Sequence, residues 1–347
     1  MTAEGTVAPL RVVIAGAGRF GELHLRAWQE AAAEVVGVVD VDPARAEQVA
    51  SRWGVGRHGA SLADVLERTP ADAVVVASDE GSHSSLADGA IARGCDVFVE
   101  KPFALSTQAA ERTAAAAAAG GREVVVGQIS RFAQPYRYLR SALQDGLLGT
   151  LWATRLRRDF SRAWFADFGD RVHPVWESCI HDIDLAVFLH GEPATKVYAS
   201  ESGAAGDAAP SVISAIVTFA SGATSTIESA WTVPARGPQS LAGLLALDGS
   251  IDGEVQVIGS AGTARQRLIG DALTVWTDEL SLAPDLSLWP EEDGRVGGAL
   301  RSEVAYAASV FRRERANTLM PLEQAVWGVA IAEAIVESAR LGRPITL

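Results

Sequence analysis

Near the start of the chain a short β-branched run, Leu10-Arg11-Val12-Val13-Ile14-Ala15, passes directly into Gly16-Ala17-Gly18-Arg19-Phe20-Gly21 and then into a helical pattern over Glu22 to Ala33. Few patterns restrict a fold as tightly. A strand that is almost wholly apolar is buried on both faces, as in a parallel sheet covered by helices. The three glycines have separate tasks: Gly16 permits the tight turn, Gly18 lets a pyrophosphate approach the backbone, and Gly21 lets helix and strand pack closely. The free N–H groups and positive dipole end of the helix then face the phosphates, with Arg19 and Phe20 in the same turn as further contact candidates.

A second strand, Val35 to Val39, ends in Asp40, nineteen residues after Gly21. A carboxylate there accepts hydrogen bonds from the adenosine ribose and repels a 2′-phosphate, which favours NAD over NADP. Asp42 is an alternative for the same task, and an acid in this loop also reads as a cap for the helix that begins at Pro43.

The alternation continues with helices over Pro43 to Trp53, Leu62 to Glu67 and Ser84 to Arg93, and an apolar strand from Ala73 to Ala77. The polar loop Ser78 to His83 follows that strand, at the end where ligands bind in open α/β sheets, so Ser78 and His83 are cofactor candidates. The next strand, Val97-Phe98-Val99, stops in Glu100-Lys101-Pro102. A lysine at a strand end ordinarily reaches for solvent. This one stands at the same carboxyl edge as the glycine turn, and Pro102 restricts the backbone around it. Lys101 is therefore the leading catalytic candidate, with Glu100 beside the cofactor. Ser106 and Gly120-Gly121 punctuate a helix through the alanine run Ala114 to Ala119. Strand Glu123 to Val126 closes this unit near Gly127-Gln128, and Gln128 is the last cofactor candidate.

Beyond Gln128 the rhythm changes. A helix over Pro135 to Asp145 precedes a strand Leu151 to Arg158, followed by strand-like runs at Thr195 to Ser200, Val212 to Phe219, Thr224 to Trp231, Leu241 to Leu247, Val255 to Ile258 and Leu273 to Trp276. In Val212 to Phe219 the residues Ile213, Ala215, Val217 and Phe219 fall on one face and Ser214 and Thr218 on the other, the period of a half-covered sheet. The expected fold is an α/β Rossmann unit with a doubly wound parallel sheet at 1–128, followed at 129–347 by an α+β unit with a large, mostly antiparallel or mixed open sheet. Terminal helices over Leu300 to Arg313 and Pro321 to Leu341 either cover that sheet or return to the first unit.

One helix, from Val175 to Gly191, carries Glu177, His181 and Asp184 at i, i+4 and i+7, on one face, with Ile180, Ile183 and Val187 as a core stripe. An acid, a histidine and an acid on one face suit proton transfer, the carboxylates orienting the ring and tuning it. A solvated charged face is the competing reading; a metal site is disfavoured, because His83, His173 and His190 show no ligand spacing with it.

Composition sets the outer limits. The 347 residues suit two domains, and a net charge of -13 argues against nucleic acid or an anionic membrane surface as the partner. Cys95 and Cys179 make neither a disulfide framework nor a CxxC motif. Met1 to Leu10 lacks a charged-then-apolar leader pattern and there is no 18-residue apolar run, so a soluble, cytoplasmic protein is expected.

With the glycine turn, the Ser78 to His83 loop, Glu100-Lys101-Pro102, Val124 to Gly127 with Arg131-Phe132, the Glu177/His181/Asp184 helix and the turn Gly259-Ser260-Ala261-Gly262 in order, the chain resembles the Gfo/Idh/MocA oxidoreductases over nearly its whole length. The resemblance implies a Rossmann domain, a second domain whose open sheet makes a homodimer or homotetramer interface, and Lys101 and His181 facing each other across a nicotinamide. It further implies reversible oxidation of a secondary alcohol on a sugar, cyclitol or related polyol, with Glu177 as a third catalytic candidate. In most of the family an aspartate stands four residues before the histidine; here it is Glu177. Trp176 and Cys179 also replace the usual small, glycine-rich entry. Candidates for substrate contact are Arg158, Trp164, His173, Trp176 and Asp184, in and after the stretch Arg155 to Trp164 that continues through Asp167, Asp170 and Arg171. The competing reading for its arginines is an exposed or subunit-facing strand surface. Two other functions remain open: a redox-assisted glycosidase with retained NAD, and a non-enzymatic NAD-binding regulator, which the presence of both Lys101 and His181 disfavours.

Overall fold

The computed structural model describes residues 8–164, 173–203, 209–234, 250–268, 275–276, 281–282 and 287–347. Strands β1 (Leu10–Ala15), β2 (Ala33–Val39), β3 (His58–Gly59), β4 (Ala73–Val76), β5 (Asp96–Glu100) and β6 (Val124–Gly127) form one parallel sheet in the order β3-β2-β1-β4-β5-β6. The order reverses between β1 and β4, which opens a crevice beyond their carboxyl ends. Burial explains the apolar strands: Val12, Val13, Val74, Val75, Val97, Phe98 and Val99 are all 0 % exposed, each contributing about 1.5–3 kcal/mol through the surface it removes from water. Helices α1 (Arg19–Glu30), α2 (Pro43–Arg52), α3 (Leu62–Arg68), α4 (His83–Ile91) and α5 (Thr107–Gly120) make the crossovers. In α5 the hydroxyl of Ser106 accepts from the Ala109 N–H, and Gly121 ends the helix at φ +61, as the punctuation predicts.

Register decides where the site lies. Ala15 pairs with Val76, Val76 with Val99 and Val99 with Val126. The residues that follow these four, Gly16, Ala77-Ser78, Glu100-Lys101 and Gly127-Gln128, therefore leave the sheet along a single edge.

The second sheet runs β12-β11-β7-β10-β9-β8, with a terminal strand Ile345–Thr346 beside β8. Its members are β7 (Leu151–Ser161), β8 (Ala194–Ser202), β9 (Val212–Phe219), β10 (Thr224–Val233), β11 (Ile251–Gly259) and β12 (Thr263–Arg267). β7 and β10 are parallel and the other pairs antiparallel, so the sheet is mixed. In β9, Ile213, Ala215, Val217 and Phe219 are buried while Ile216 on the other face is 48 % exposed. The period of two is thus a covered face and a bare one. Between α6 (Gln134–Gln144) and the end of the chain, α7 (Ile180–His190) and α9 (Leu322–Leu341) lie on the covered face, and α9 also touches α5. α8 (Gly298–Phe311) returns to the first unit, against α1 and the turn Ile129–Phe132.

Three expectations need revision or fall away. The helix foreseen from Val175 to Gly191 is divided: Val175–Cys179 winds as a π-turn before α7 begins. The strand foreseen at Leu241 to Leu247 lies outside the described residues. Of Leu273 to Trp276, the described part, Val275–Trp276, pairs with Ser281–Leu282.

Candidate active site

The glycine turn is built for close approach at one position and close packing at two. Gly16 sits at φ +108, and a Cβ there would lie 2.3 Å from the carbonyl oxygen of Ala77, on the neighbouring strand end; one on Gly21 would lie 1.8 Å from the carbonyl oxygen of Gly16. Around Gly18 nothing comes within 4 Å of that position, so its backbone is open from outside. Asp40 is 7 % exposed; one oxygen accepts from the Ala17 N–H at 2.8 Å and the other from the Asp42 N–H at 2.9 Å. Asp42 accepts from Ala44 and Arg45 at the start of α2. The two acids therefore divide the tasks left open by the sequence, Asp42 capping the helix and Asp40 standing against the glycine turn. Arg19 is exposed in that turn, and Phe20 meets Trp289 edge-on at 5.7 Å.

The loops after β4 and β5 are tied together by His83. Its Nδ1 is 2.8 Å from the carbonyl oxygen of Pro102 and its Nε2 3.1 Å from that of Ser78. At 1 % exposure the ring faces inward, so His83 positions the two loops rather than meeting a cofactor as expected. The Ser78 hydroxyl is 2.7 Å from that of Ser82, and Lys101-Pro102 is a cis peptide. The Lys101 ammonium donates to both the backbone carbonyl and the side-chain carboxylate of Glu177, each at 3.1 Å. That partner comes from the π-turn, which Ser178 secures: its hydroxyl donates to the Pro174 carbonyl at 2.8 Å and accepts from the Trp231 indole of β10 at 3.0 Å. Single π-turns recur at functional sites because they re-aim side chains that a regular helix would send elsewhere.

His181 follows one turn later. Burial, then the positive charges of Lys101 and Arg158, hold its pKa well below the usual 6.5, and its Nδ1 is buried without a partner. Beneath Lys101, Glu100 accepts from the Lys101 N–H and lies 2.7 Å from Nε2 of His24. Burial pushes the Glu100 carboxyl up, but the His24 hydrogen bond and the charges of His24 and Lys101 outweigh it and leave the carboxyl below its usual value. His190, at the end of α7, is likewise depressed to about 4 by burial and by Arg140. Both rings take a proton more readily in the unfolded chain than in the folded one. Stability is therefore expected to fall as pH drops from about 6.5 toward about 4, which urea titrations across that range would measure.

The expected common face of Glu177, His181 and Asp184 does not form. Asp184 is 1 % exposed and holds Arg131 through two hydrogen bonds of 2.8 and 2.9 Å, so it is not open to a substrate. Arg158 is likewise taken up by Asp182, at 3.0 to 3.2 Å, and by Tyr136. His173 stands 3.3 Å from Glu201. Trp164 packs on Phe160, which stacks on Trp231, and Trp176 is buried in the π-turn; neither offers an open ring face. Asp167, Asp170 and Arg171 lie outside the described residues. Gln128 ends the β6 edge with its Oε1 buried and unpartnered. Sequence reasoning missed His24, whose only signal was a histidine within the buried face of α1. Among the described residues no group of three or more His, Cys, Asp or Glu could hold a metal ion, and no helix is long and apolar enough to cross a membrane.

Comparison with known proteins bears on this arrangement. Residues 10–128 match the family model for the Gfo/Idh/MocA oxidoreductase family, NAD-binding Rossmann fold, and residues 136–265 match a Gfo/Idh/MocA C-terminal domain. D-apiose dehydrogenase of Paraburkholderia graminis is 29 % identical over 64 % of this chain and 61 % of its own length. Inositol 2-dehydrogenase of Acidothermus cellulolyticus is 34 % identical over 52 % of this chain and 53 % of its own. The chain thus spans little more than half the length of these relatives. The crystal structure of myo-inositol 2-dehydrogenase from Lactobacillus plantarum, 21 % identical, shares the fold at a TM-score of 0.80, covering 98 % of this chain and 100 % of the other. Parallel sheet, glycine turn, Glu-Lys-Pro strand end and two successive domain matches agree, and the chain belongs to the Gfo/Idh/MocA oxidoreductase family, with an NAD-binding Rossmann domain at its N-terminal end.

Proposed function

We propose that the protein is an NAD-dependent dehydrogenase acting reversibly on a secondary alcohol of a sugar, cyclitol or related polyol. The observation that carries this reading is the Lys101 ammonium at the carboxyl edge of the parallel sheet, 3.1 Å from Glu177 on the turn that leads into His181. The unit ending at Gln128 holds the cofactor in this reading, and residues 129–347 hold the alcohol. Two features support the cofactor fit: the open approach at Gly18 and the carboxylate of Asp40 beside it. NAD, when bound, supplies the hydride acceptor.

The chain's own groups handle the oxygen and the proton. An ammonium has three donors; two of those on Lys101 are taken by Glu177, and the third is free to hold the alcohol oxygen as negative charge develops on it. Glu177 keeps the ammonium aimed. His181 takes the hydroxyl proton on Nε2, since Nδ1 is enclosed. Because burial and the nearby cations keep the ring neutral to well below pH 6.5, kcat/KM for oxidation should stay flat below neutrality and fall only at a pH well under 6.5, as the ring takes up a proton. A break at about 6.5, the value of an unperturbed histidine, would contradict the assignment.

Purified protein assayed for NADH absorbance with polyols, sugars, sugar acids and nucleotide sugars tests the reading directly. No absorbance change with any of them, and cleavage of a glycoside instead, would replace it with the redox-assisted glycosidase. Cofactor choice has its own test. Arg45 reaches within 3.9 Å of Asp40 and is the cation able to meet a 2′-phosphate once the acid is gone. Asp40→Ser should raise the NADP-to-NAD ratio of kcat/KM by more than roughly tenfold, because opposed like charges cost several kcal/mol. The bare face of the second sheet, where Tyr198 and Ile216 are exposed, is the face we assign to a homodimer or homotetramer contact; light scattering of Ile216→Asp against wild type checks it.

A further inference from the structure

Glu177 meets the Lys101 ammonium with two kinds of oxygen, its backbone carbonyl and its side-chain carboxylate. In an α-helix a carbonyl points along the axis to the N–H four residues on, and the π-turn Val175–Cys179 interrupts that ladder where Glu177 lies. Turns of this kind are rare and occur singly. A contact from outside the helix has to hold this one in place.

That contact falls on Ser178, the residue after Glu177. Its buried hydroxyl has every bond it can make. The hydrogen goes to the Pro174 carbonyl at 2.8 Å, a bond to the residue four back of the kind that bends helices. The oxygen accepts from the Trp231 indole at 3.0 Å and, since its own hydrogen is already donated, accepts again from the Ser229 hydroxyl at 3.1 Å. Ser229 and Trp231 are two apart on β10, so both point to the covered face of the sheet, and both are buried.

The indole is the aimed member of the pair. β10 is paired with β7 as far as Ala230, opposite Asp159, and the pairing resumes in a shifted register at Val233, opposite Ser161. Trp231 lies inside that irregularity, and bulges of this sort re-aim side chains. Its backbone N–H donates to the Ser211 carbonyl at 2.9 Å, and Phe160 of β7 stacks on its ring at 5.2 Å. Position and plane of the indole are thus fixed independently of Ser178. α7 has an anchor of its own: Arg158, opposite Ser229 in the pairing of β7 with β10, holds Asp182 through three hydrogen bonds. The helix therefore stays docked with or without the indole bond, and what that bond settles is the turn before it.

We infer that Trp231 is a positioning residue for Lys101: its indole N–H fixes the Ser178 hydroxyl, and through it the π-turn that presents the carbonyl and the carboxylate of Glu177 to the ammonium. The importance of Lys101 in turnover rests on the dehydrogenase reading; the path from Trp231 to Lys101 does not.

The full-length protein permits a test that needs no substrate. It has two lysines, Lys101 and the exposed Lys196, so ¹³C-labelled lysine gives two side-chain signals, which Lys196→Arg assigns. Trp231→Phe keeps a ring against Phe160 and loses the N–H. Replacing Trp231 by its benzothienyl isostere, with sulfur where the N–H stood, loses the donor and keeps the shape, which covers a failure of Trp231→Phe to fold. In both proteins the Lys101 signal should move while that of Lys196 stays. Ser178→Ala should move it too, and adding Trp231→Phe to Ser178→Ala should move it little further, because the indole acts through the hydroxyl. Each variant should lose roughly tenfold in kcat for a polyol, the worth of one lost hydrogen bond, with KM for NAD unchanged. An unmoved Lys101 signal in the isostere-bearing protein, or an undiminished effect of Trp231→Phe in the Ser178→Ala background, overturns the inference even if wild type oxidises polyols. A signal that responds as expected in a protein inert to every polyol overturns the dehydrogenase reading instead and leaves the path from Trp231 standing.

Discussion

Lys101→Ala and His181→Asn should each lower kcat for polyol oxidation by roughly 10²- to 10⁴-fold, the usual worth of a positioned acid or base, with NAD binding little changed. The cofactor phosphates are expected to meet the glycine turn, some distance along the sheet edge from Lys101, so intrinsic fluorescence should report a similar NAD affinity in both variants. The two losses differ in kind. Removing the ammonium takes away the positive charge that stands 3.1 Å from the Glu177 carboxylate, at the point where negative charge develops on the alcohol oxygen. Lys101→Ala combined with Glu177→Gln should therefore be somewhat faster than Lys101→Ala alone, while remaining far below wild type. For His181→Asn the fall in pH that slows wild type should have little further effect, because the group that titrates is gone. Turnover within a few-fold of wild type in either single variant would remove that residue from the mechanism.

The parts of this site that could be read from the sequence are those where backbone geometry admits few residues. A Cβ at Gly16 or Gly21 would collide with a carbonyl oxygen, so the spacing of those glycines carries the turn with it. The alternation in β9 is legible for a similar reason, since a strand with one covered face must repeat every two residues. Side-chain pairings were not legible, because their partners are remote in sequence. Asp184 is claimed by Arg131, Arg158 by Asp182 and His24 by Glu100, and nothing local marks any of these choices. Extrapolating a 3.6-residue period through Val175 to Cys179 placed Glu177 on a face with Asp184; the π-turn instead gives Glu177 to Lys101.

Arg131→Met should destabilise the protein by about 3–5 kcal/mol in urea titrations, the cost of stripping one partner from a buried ion pair. The guanidinium is 0 % exposed and serves more than Asp184: it also donates to the Leu319 carbonyl at 3.0 Å and to Gln324 at 2.7 Å. Its loss would leave a buried carboxylate without its donors and take one from each of two part-buried acceptors, since a thioether supplies none. Asp184→Asn should cost less, because Arg131 keeps its other two acceptors and the amide oxygen still accepts one bond. Arg131→Met with Asp184→Leu should regain part of the loss, as replacing both members of a buried pair removes the uncompensated charge. The ordering matters for function as well as stability. Arg131 lies three residues after Gln128 at the β6 edge and Asp184 three residues after His181 on α7, so this pair joins the cofactor side of the site to the helix that carries the base. A loss for Arg131→Met under about 1 kcal/mol, the range of exposed pairs, would mean that water reaches the pair and that the junction is held by apolar packing instead.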